Sequence, residues 1–278
     1  MYRGYRHRGE AFGQDEPVTD HYPQDITATR ADDGTLSLAV TDRWNTPLGK
    51  PNGGWVLASM LRTAMDTTDV GRPVVASITY FASPEPGTTA TLTVTPVKMG
   101  RRVQTVEVDL AHGDKPLARM TASFAADHHG HSQELGTPPQ LPAPDGLPDP
   151  RDLGLPTDGL FGRVEFRMPV TPGWADGKPS GDPTAELWQR LDGGTAIDWP
   201  AVALLTDTSP PPVLELGQLV SMTVQLTVHF HRLPEPGTWV ASRFTTRHIA
   251  DGFHEEDGEL WDEQGRLVAQ SRQLAILL

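Results

Sequence analysis

Pro84-Glu85-Pro86-Gly87-Thr88 recurs as Pro234-Glu235-Pro236-Gly237-Thr238, each copy trailing a phenylalanine (Phe81, Phe230) and leading into a strand-like run. The repeat extends beyond the pentapeptide. Gly100 matches Gly252 at a turn position, and Lys115-Pro116-Leu117-Ala118 matches Gly265-Arg266-Leu267-Val268 at the start of a strand. Self-similarity on this scale marks an internal duplication. A chain of 278 residues has room for two core-forming units of about 120 residues each.

Each half has the same order of elements. In the first, Leu36, Leu38 and Val40 alternate with polar residues as in a strand with one buried face. Asn52 then caps a helix running to Met65, with Leu57, Met60, Leu61 and Ala64 on one stripe. Strand-like runs follow at 74–81, 90–98, 103–111 and 117–126. In the second half a strand is expected at 161–170 and a short helix at 185–191. Asp198 caps another helix, which ends just past Asp207 because Ser209-Pro210-Pro211-Pro212 cannot continue it. Strands are expected again at 221–230, 239–247, 258–262 and 267–278. Residues 131–157 hold seven prolines and read as a stiff linker, which divides the chain into repeats at 1–130 and 158–278.

Composition excludes several functions. Lys+Arg 23 against Asp+Glu 36 gives a net charge of −13, which disfavours a grip on nucleic acid. With no cysteine there is no thiol nucleophile, disulfide framework or cysteine zinc site. The basic start lacks the apolar run of a secretory signal, and no window approaches the ~20 apolar residues of a membrane span, so a cytoplasmic protein is expected. Gly-x-Ser-x-Gly, Gly-x-Gly-x-x-Gly and Gly-Lys-Ser/Thr phosphate-loop signatures are absent, which removes α/β-hydrolases, dinucleotide enzymes and P-loop enzymes. Asp127-His128-His129-Gly130-His131, and His229-Phe230-His231 with His248 and His254, suggest metal ligands, but their spacing is loose and no metal site is assigned.

One apolar helix wrapped by an antiparallel sheet, twice in tandem, is an α+β double hotdog. From about residue 30 onward the chain resembles the double-hotdog acyl-CoA thioesterases of the thioesterase II type. Met222-Thr223-Val224-Gln225-Leu226-Thr227-Val228-His229-Phe230-His231-Arg232 is similar to that family's threonine-bearing strand, Leu267 to Gln273 to its glutamine-bearing terminal strand, and Leu205-Thr206-Asp207 to its aspartate-bearing helix. Gln225-Leu226 departs from the family's Asp-His at that place. The resemblance implies two antiparallel sheets, each wrapping one helix, and hydrolysis of an acyl-CoA by activated water without a cofactor. It makes Asp207 the base or water-orienting group, with Gln273 and Thr223 as partners. The matching first-half positions, roughly Thr63, Val74 and Ser123, lack this set, so one site per chain is expected.

Gly53 and Gly54 at the start of the first helix are the expected oxyanion donors, because free N–H groups there point along the helix dipole. Close helix packing is an equally open reading of the two glycines. Asp207, at the end of its helix, is expected to hold its proton through burial and the negative dipole end. A homo-oligomer is expected. A noncatalytic acyl-binding hotdog protein and a hotdog dehydratase or hydratase stay open as alternatives. The second is disfavoured because no histidine lies within Asn52 to Trp55.

Overall fold

The computed structural model describes residues 21–126, 130–153, 158–217 and 220–278. The elements in chain order are α1 (Tyr22–Asp25), β1 (Thr29–Arg30), β2 (Leu36–Ala39), α2 (Gly53–Met65), β3 (Arg72–Tyr80), β4 (Thr89–Met99), β5 (Val103–His112), β6 (Lys115–Ala125), β7 (Val164–Arg167), β8 (Thr184–Leu191), α3 (Trp199–Leu205), β9 (Ser221–Phe230), β10 (Val240–Thr245), β11 (Ile249–Ala250), β12 (Phe253–Trp261) and β13 (Leu267–Leu277). This is an α+β molecule with a large antiparallel sheet. The short helix expected at 185–191 is instead strand β8. Leu187, Gln189 and Leu191 face inward at strand spacing, and β8 is paired on both sides, by β7 and β10.

The two sheets expected from sequence are one. Its order is β1-β2-β4-β5-β6-β3-β9-β13-β12-β10-β8-β7, joined through β3 and β9. Left unjoined, each of these strands would present a row of unsatisfied backbone groups. Ser77 lies opposite Thr227 at the join, and their hydroxyls are 2.9 Å apart. These two residues are separated in sequence by the same 150 positions that separate the pentapeptides, so the duplication axis passes between them.

The pentapeptides are matching turns. Gly87 and Gly237 adopt φ of 78° and 77°, a region suited to glycine, and Thr88 and Thr238 each donate a hydroxyl to the carbonyl of the preceding glutamate, Glu85 or Glu235.

Asn52 accepts a hydrogen bond from Trp55 N and so starts α2 where the sequence placed it. The helix is buried around most of its circumference. Ser59 and Thr63 tolerate this because their hydroxyls return to the Trp55 and Ser59 carbonyls. Asp198 starts α3 through Ala201 N, and Pro200 occupies its first turn. The two helices run antiparallel. Arg62, near the end of α2, lies 3.9 Å from Asp198, and Gly54, at its start, lies against Leu204 and Asp207.

Candidate functional site

Asp207 follows the C-cap of α3 and is held at the opposite helix's start. Its N–H donates to Leu204 O, while Gln189, buried on β8, donates to Leu205 O and satisfies one of α3's terminal carbonyls. From the other half, Asn52 Nδ2 donates to the Asp207 carbonyl at 2.7 Å and to Oδ2 at 3.3 Å, and Gly54 N donates to Oδ2 at 2.7 Å. Asn52 therefore caps its own helix with its oxygen and grips Asp207 with its nitrogen. Tyr80 OH donates to Gly53 O at 2.8 Å. Tyr80 and Asp207 thus hold opposite ends of a single peptide unit, Gly53 C=O and Gly54 N–H.

The two glycines permit this approach. A Cβ on Gly53 would stand 2.8 Å from Asp207 Oδ2, and one on Gly54 would stand 2.6 Å from Leu204 O. In the first turn of α2, Gly54 N–H goes to Asp207, Trp55 N–H to Asn52 Oδ1 and Val56 N–H to Asn52 O. Gly53 N–H has no acceptor among the described residues, as the helix itself supplies none at that position.

The Asp207 carboxyl is raised from 3.8 to about 7, chiefly by burial, against the Gly54 and Asn52 hydrogen bonds that favour its charge. The direction agrees with the sequence reading, but the dipole part of that reading is reversed. Asp207 faces the positive start of α2, which stabilises its anion. The group nevertheless keeps partial access to solvent. Oδ1 accepts no hydrogen bond from the described residues.

Thr223 and Gln273 meet directly, with Thr223 Oγ1 donating to Gln273 Oε1 at 2.6 Å. A β-bulge makes this possible. Gln273 pairs with Leu226 and Leu274 with Gln225, but Ala275 pairs with Thr223, leaving Val224 unpaired. Strict alternation would turn Thr223 away from Leu226's buried face, and the extra residue turns it back. Gln225 stays on the other face, where its amide donates to Ser77 and Thr227, and Leu226 is fully buried. The family departure at Gln225-Leu226 therefore lies outside this cluster.

Glu256, to which sequence reasoning assigned no part in hydrolysis, completes the row. It lies opposite Gln273 and accepts from Gln273 Nε2 at 2.7 Å. Burial pushes it up to about 8, and the charge of Asp207 adds to the rise, so the two carboxyls sense each other across the site. Asp207 makes no hydrogen bond to Thr223 or Gln273 among the described residues. The site thus comprises two clusters, Asp207 with Asn52, Gly53, Gly54 and Tyr80, and Thr223 with Gln273 and Glu256. Tyr80 had a visible signal, since the pentapeptide spacing sets it opposite Phe230.

Among the described residues no three His, Asp or Glu side chains gather as metal ligands. His128 and His129 lie outside the described residues, and His254 is buried with its Nε2 2.7 Å from Ser221 Oγ. No helix among them is long and apolar enough to cross a membrane.

Residues 136–277 match the acyl-CoA thioesterase C-terminal domain, and residues 40–125 match the acyl-CoA thioesterase N-terminal domain. An uncharacterized protein of Mycobacterium tuberculosis is 28% identical over 228 residues, covering 74% of this chain and 76% of its own. The fold is similar to that of a protein assigned as a thioesterase II from Thermobifida fusca, at 28% identity and a TM-score of 0.81 over 92% of this chain and 98% of that one. A hot dog fold protein of unknown function from Alicyclobacillus acidocaldarius, at 22% identity, gives a TM-score of 0.83 over 94% and 99% of the two chains. An acyl-CoA thioesterase II from Mycobacterium marinum, at 18% identity, gives 0.73 over 92% and 98%; these last two likenesses concern the fold alone. With both of its halves matched in order and more than half of its length covered, the chain belongs to the acyl-CoA thioesterase family.

Proposed function

We propose that this chain is a thioester hydrolase that splits an acyl-CoA into free acid and CoA, using a water activated by Asp207 and oriented by Thr223 and Gln273. The observation that carries this reading is the state of Asp207. It is fixed through Oδ2, leaves Oδ1 for a water, and exchanges its proton near pH 7, where a general base is most effective. Asp207 takes a proton from the water while the water oxygen bonds to the thioester carbonyl carbon, and the carbonyl electrons move onto oxygen. Gly53 N–H, the uncommitted donor at the start of α2, is assigned to that oxyanion. Gly54, the other oxyanion candidate from sequence, serves instead to fix Asp207. Collapse of the adduct breaks the carbon–sulfur bond, and the CoA thiolate receives the proton from Asp207.

The repeated turns and the two antiparallel helices support the double-hotdog organisation, with units at 1–130 and 158–278 and a connecting segment at 131–157. The protein is assigned to the cytoplasm as a homo-oligomer, which sedimentation would test against the 30.3 kDa mass of one chain. The decisive experiment is thiol release from acyl-CoAs of graded chain length. Saturable turnover with at least one of them is expected. Saturable binding with no release from any would replace this reading with that of a noncatalytic acyl-binding protein.

A further inference from the structure

Glu256 is a costly residue at its position. It is 5% exposed, and among the described residues no lysine or arginine bonds to it and Oε2 has no partner. A buried carboxyl in that condition lowers stability unless something compensates. The duplication provides a reference for what the fold itself needs there. Val106 pairs with Ala122 where Glu256 pairs with Gln273, and both first-half residues are fully buried. The sheet is therefore satisfied by valine, and what distinguishes Glu256 is its contact with Gln273.

We propose that Glu256 is a positioning residue of the water site, fixing which way round the Gln273 carboxamide stands. The inference rests on the thioesterase reading of Asp207, Thr223 and Gln273. An amide end has an oxygen and a nitrogen of similar size, and a threonine hydroxyl, which donates or accepts, does not choose between them. As a carboxylate, or as a neutral acid with its proton on Oε2, Glu256 presents Oε1 to the amide as an acceptor, which turns Nε2 toward Glu256 and the Gln273 oxygen toward Thr223. The Thr223 proton is then committed to Gln273, and the lone pairs of Thr223 remain for a water hydrogen.

The groups around Glu256 explain how it does this without adding charge at neutral pH. Asp207 faces it from the segment after α3, Asp257 adjoins it on its own strand, Gln273 faces it from β13, and His254 lies two residues back on the same face of β12. Burial, Asp207 and Asp257 all favour the neutral acid, and only the Gln273 hydrogen bond opposes them. Above about pH 8 a second negative charge appears beside Asp207, and it opposes development of an oxyanion.

The test uses full-length wild type, Glu256→Leu and Glu256→Gln, with acyl-CoA kinetics across pH and NMR of the glutamine side-chain amides. Glu256→Leu should lower kcat by about 10²-fold with KM within about threefold, because Gln273 loses its orientation. Glu256→Gln keeps an acceptor oxygen. It should regain at least about tenfold of that loss and lack the decline of activity near pH 8. Wild-type turnover in Glu256→Leu, or an unchanged alkaline decline in Glu256→Gln, overturns the inference, and the Gln variant decides alone if the Leu variant does not fold. Absence of turnover in the wild type with every acyl-CoA defeats the thioesterase reading instead. The Gln273 amide signal then decides for Glu256. It should shift with a midpoint near pH 8 in the wild type and not in Glu256→Gln, and a signal indifferent to pH in the wild type overturns the positioning role.

Discussion

The two ends of the antiparallel helix pair are built from the same duplicated plan and have become chemically opposite. At one end, α2 begins with Asn52-Gly53-Gly54, Tyr80 stands over the Gly53 carbonyl, and the end of α3 brings Asp207. At the other, α3 begins with Asp198-Trp199-Pro200, the Trp199 ring meets Phe230 edge-on with centroids 6.1 Å apart, and the end of α2 brings Arg62. The caps differ in a decisive way. Asn52 has an amide nitrogen to hold a carboxylate, whereas Asp198 can only accept, and it accepts from Tyr22 OH as well as Ala201 N. Glycine leaves the first helix start open to close approach, while tryptophan and proline fill the second. The sheet repeats the contrast, with Thr223, Gln273 and Glu256 on one inner wall and Pro73, Ala122 and Val106 on the other. A duplicated fold thus sets a polar sheet wall beside the glycine helix start at one junction and an apolar sheet wall beside the tryptophan-proline helix start at the other.

The most damaging way to probe that contrast is Asp207→Asn, which leaves the shape of the first junction intact and removes its base. Turnover should fall by roughly 10²–10⁴-fold in steady-state thiol release, with the fold retained by circular dichroism. Near-normal turnover would remove Asp207 from the mechanism. Thr223→Val, which brings the polar wall closer to the apolar one at nearly constant volume, should lower kcat by roughly 10- to 100-fold. An unaltered kcat would mean that the bulge places Thr223 without catalytic consequence.

Tyr80→Phe makes the first junction resemble the second at one position. Losing the hydrogen bond to Gly53 O, worth about 1 kcal/mol, should reduce kcat roughly fivefold. The reverse change, Phe230→Tyr, should leave kcat unaltered, since Asp198 there is committed to Ala201 N and Tyr22 OH and no threonine, glutamine and glutamate row faces it. If both changes alter turnover equally, the functional asymmetry of the junctions fails.

Stability offers a quieter contrast. Asp207 binds its proton more tightly folded than unfolded, so between about pH 4 and pH 7 the folded protein holds more protons and its stability falls as pH rises. Asp207→Asn escapes this loss. Its Tm should exceed the wild type's by about 5 °C at pH 8 and converge with it toward pH 4, as followed by thermal melts. A difference independent of pH would rule out a buried, proton-holding Asp207.

Much of this was legible in the residues. The repeated Pro-Glu-Pro-Gly-Thr established the duplication. Asn52 established the start of α2, because a cap acts over a few residues and reads the same in any context. The proline run only bounded α3, which ends at Leu205, short of the expected end just past Asp207, because the chain leaves helical geometry at the Thr206 cap before the prolines are reached. Period-two patterns located most strands. The resemblance brought Asp207, Thr223 and Gln273 together, and in the fold Thr223 hydrogen-bonds Gln273.

Which first-half residue answers to Gln273 was decided only by tertiary structure. Constant spacing set Ser123 opposite Gln273, yet Leu110 pairs with Ala118 and Leu260 with Ala269, eight and nine residues apart, so the second turn holds one residue more. The true counterpart of Gln273 is Ala122. For Thr223 the spacing of 150 and the strand pairing agree on Pro73 rather than Val74, and alignment of the helix caps sets Leu61, and not Thr63, opposite Asp207. One residue of slip exchanges the two faces of a strand. Local sequence therefore determined the elements, their order and the polar residues available. The bulge at Val224, the contact of Glu256 with Gln273 and the grip of Gly54 on Asp207 depend on partners 17 to 153 residues away. They were decided by pairing and packing, since no local preference specifies a partner that distant.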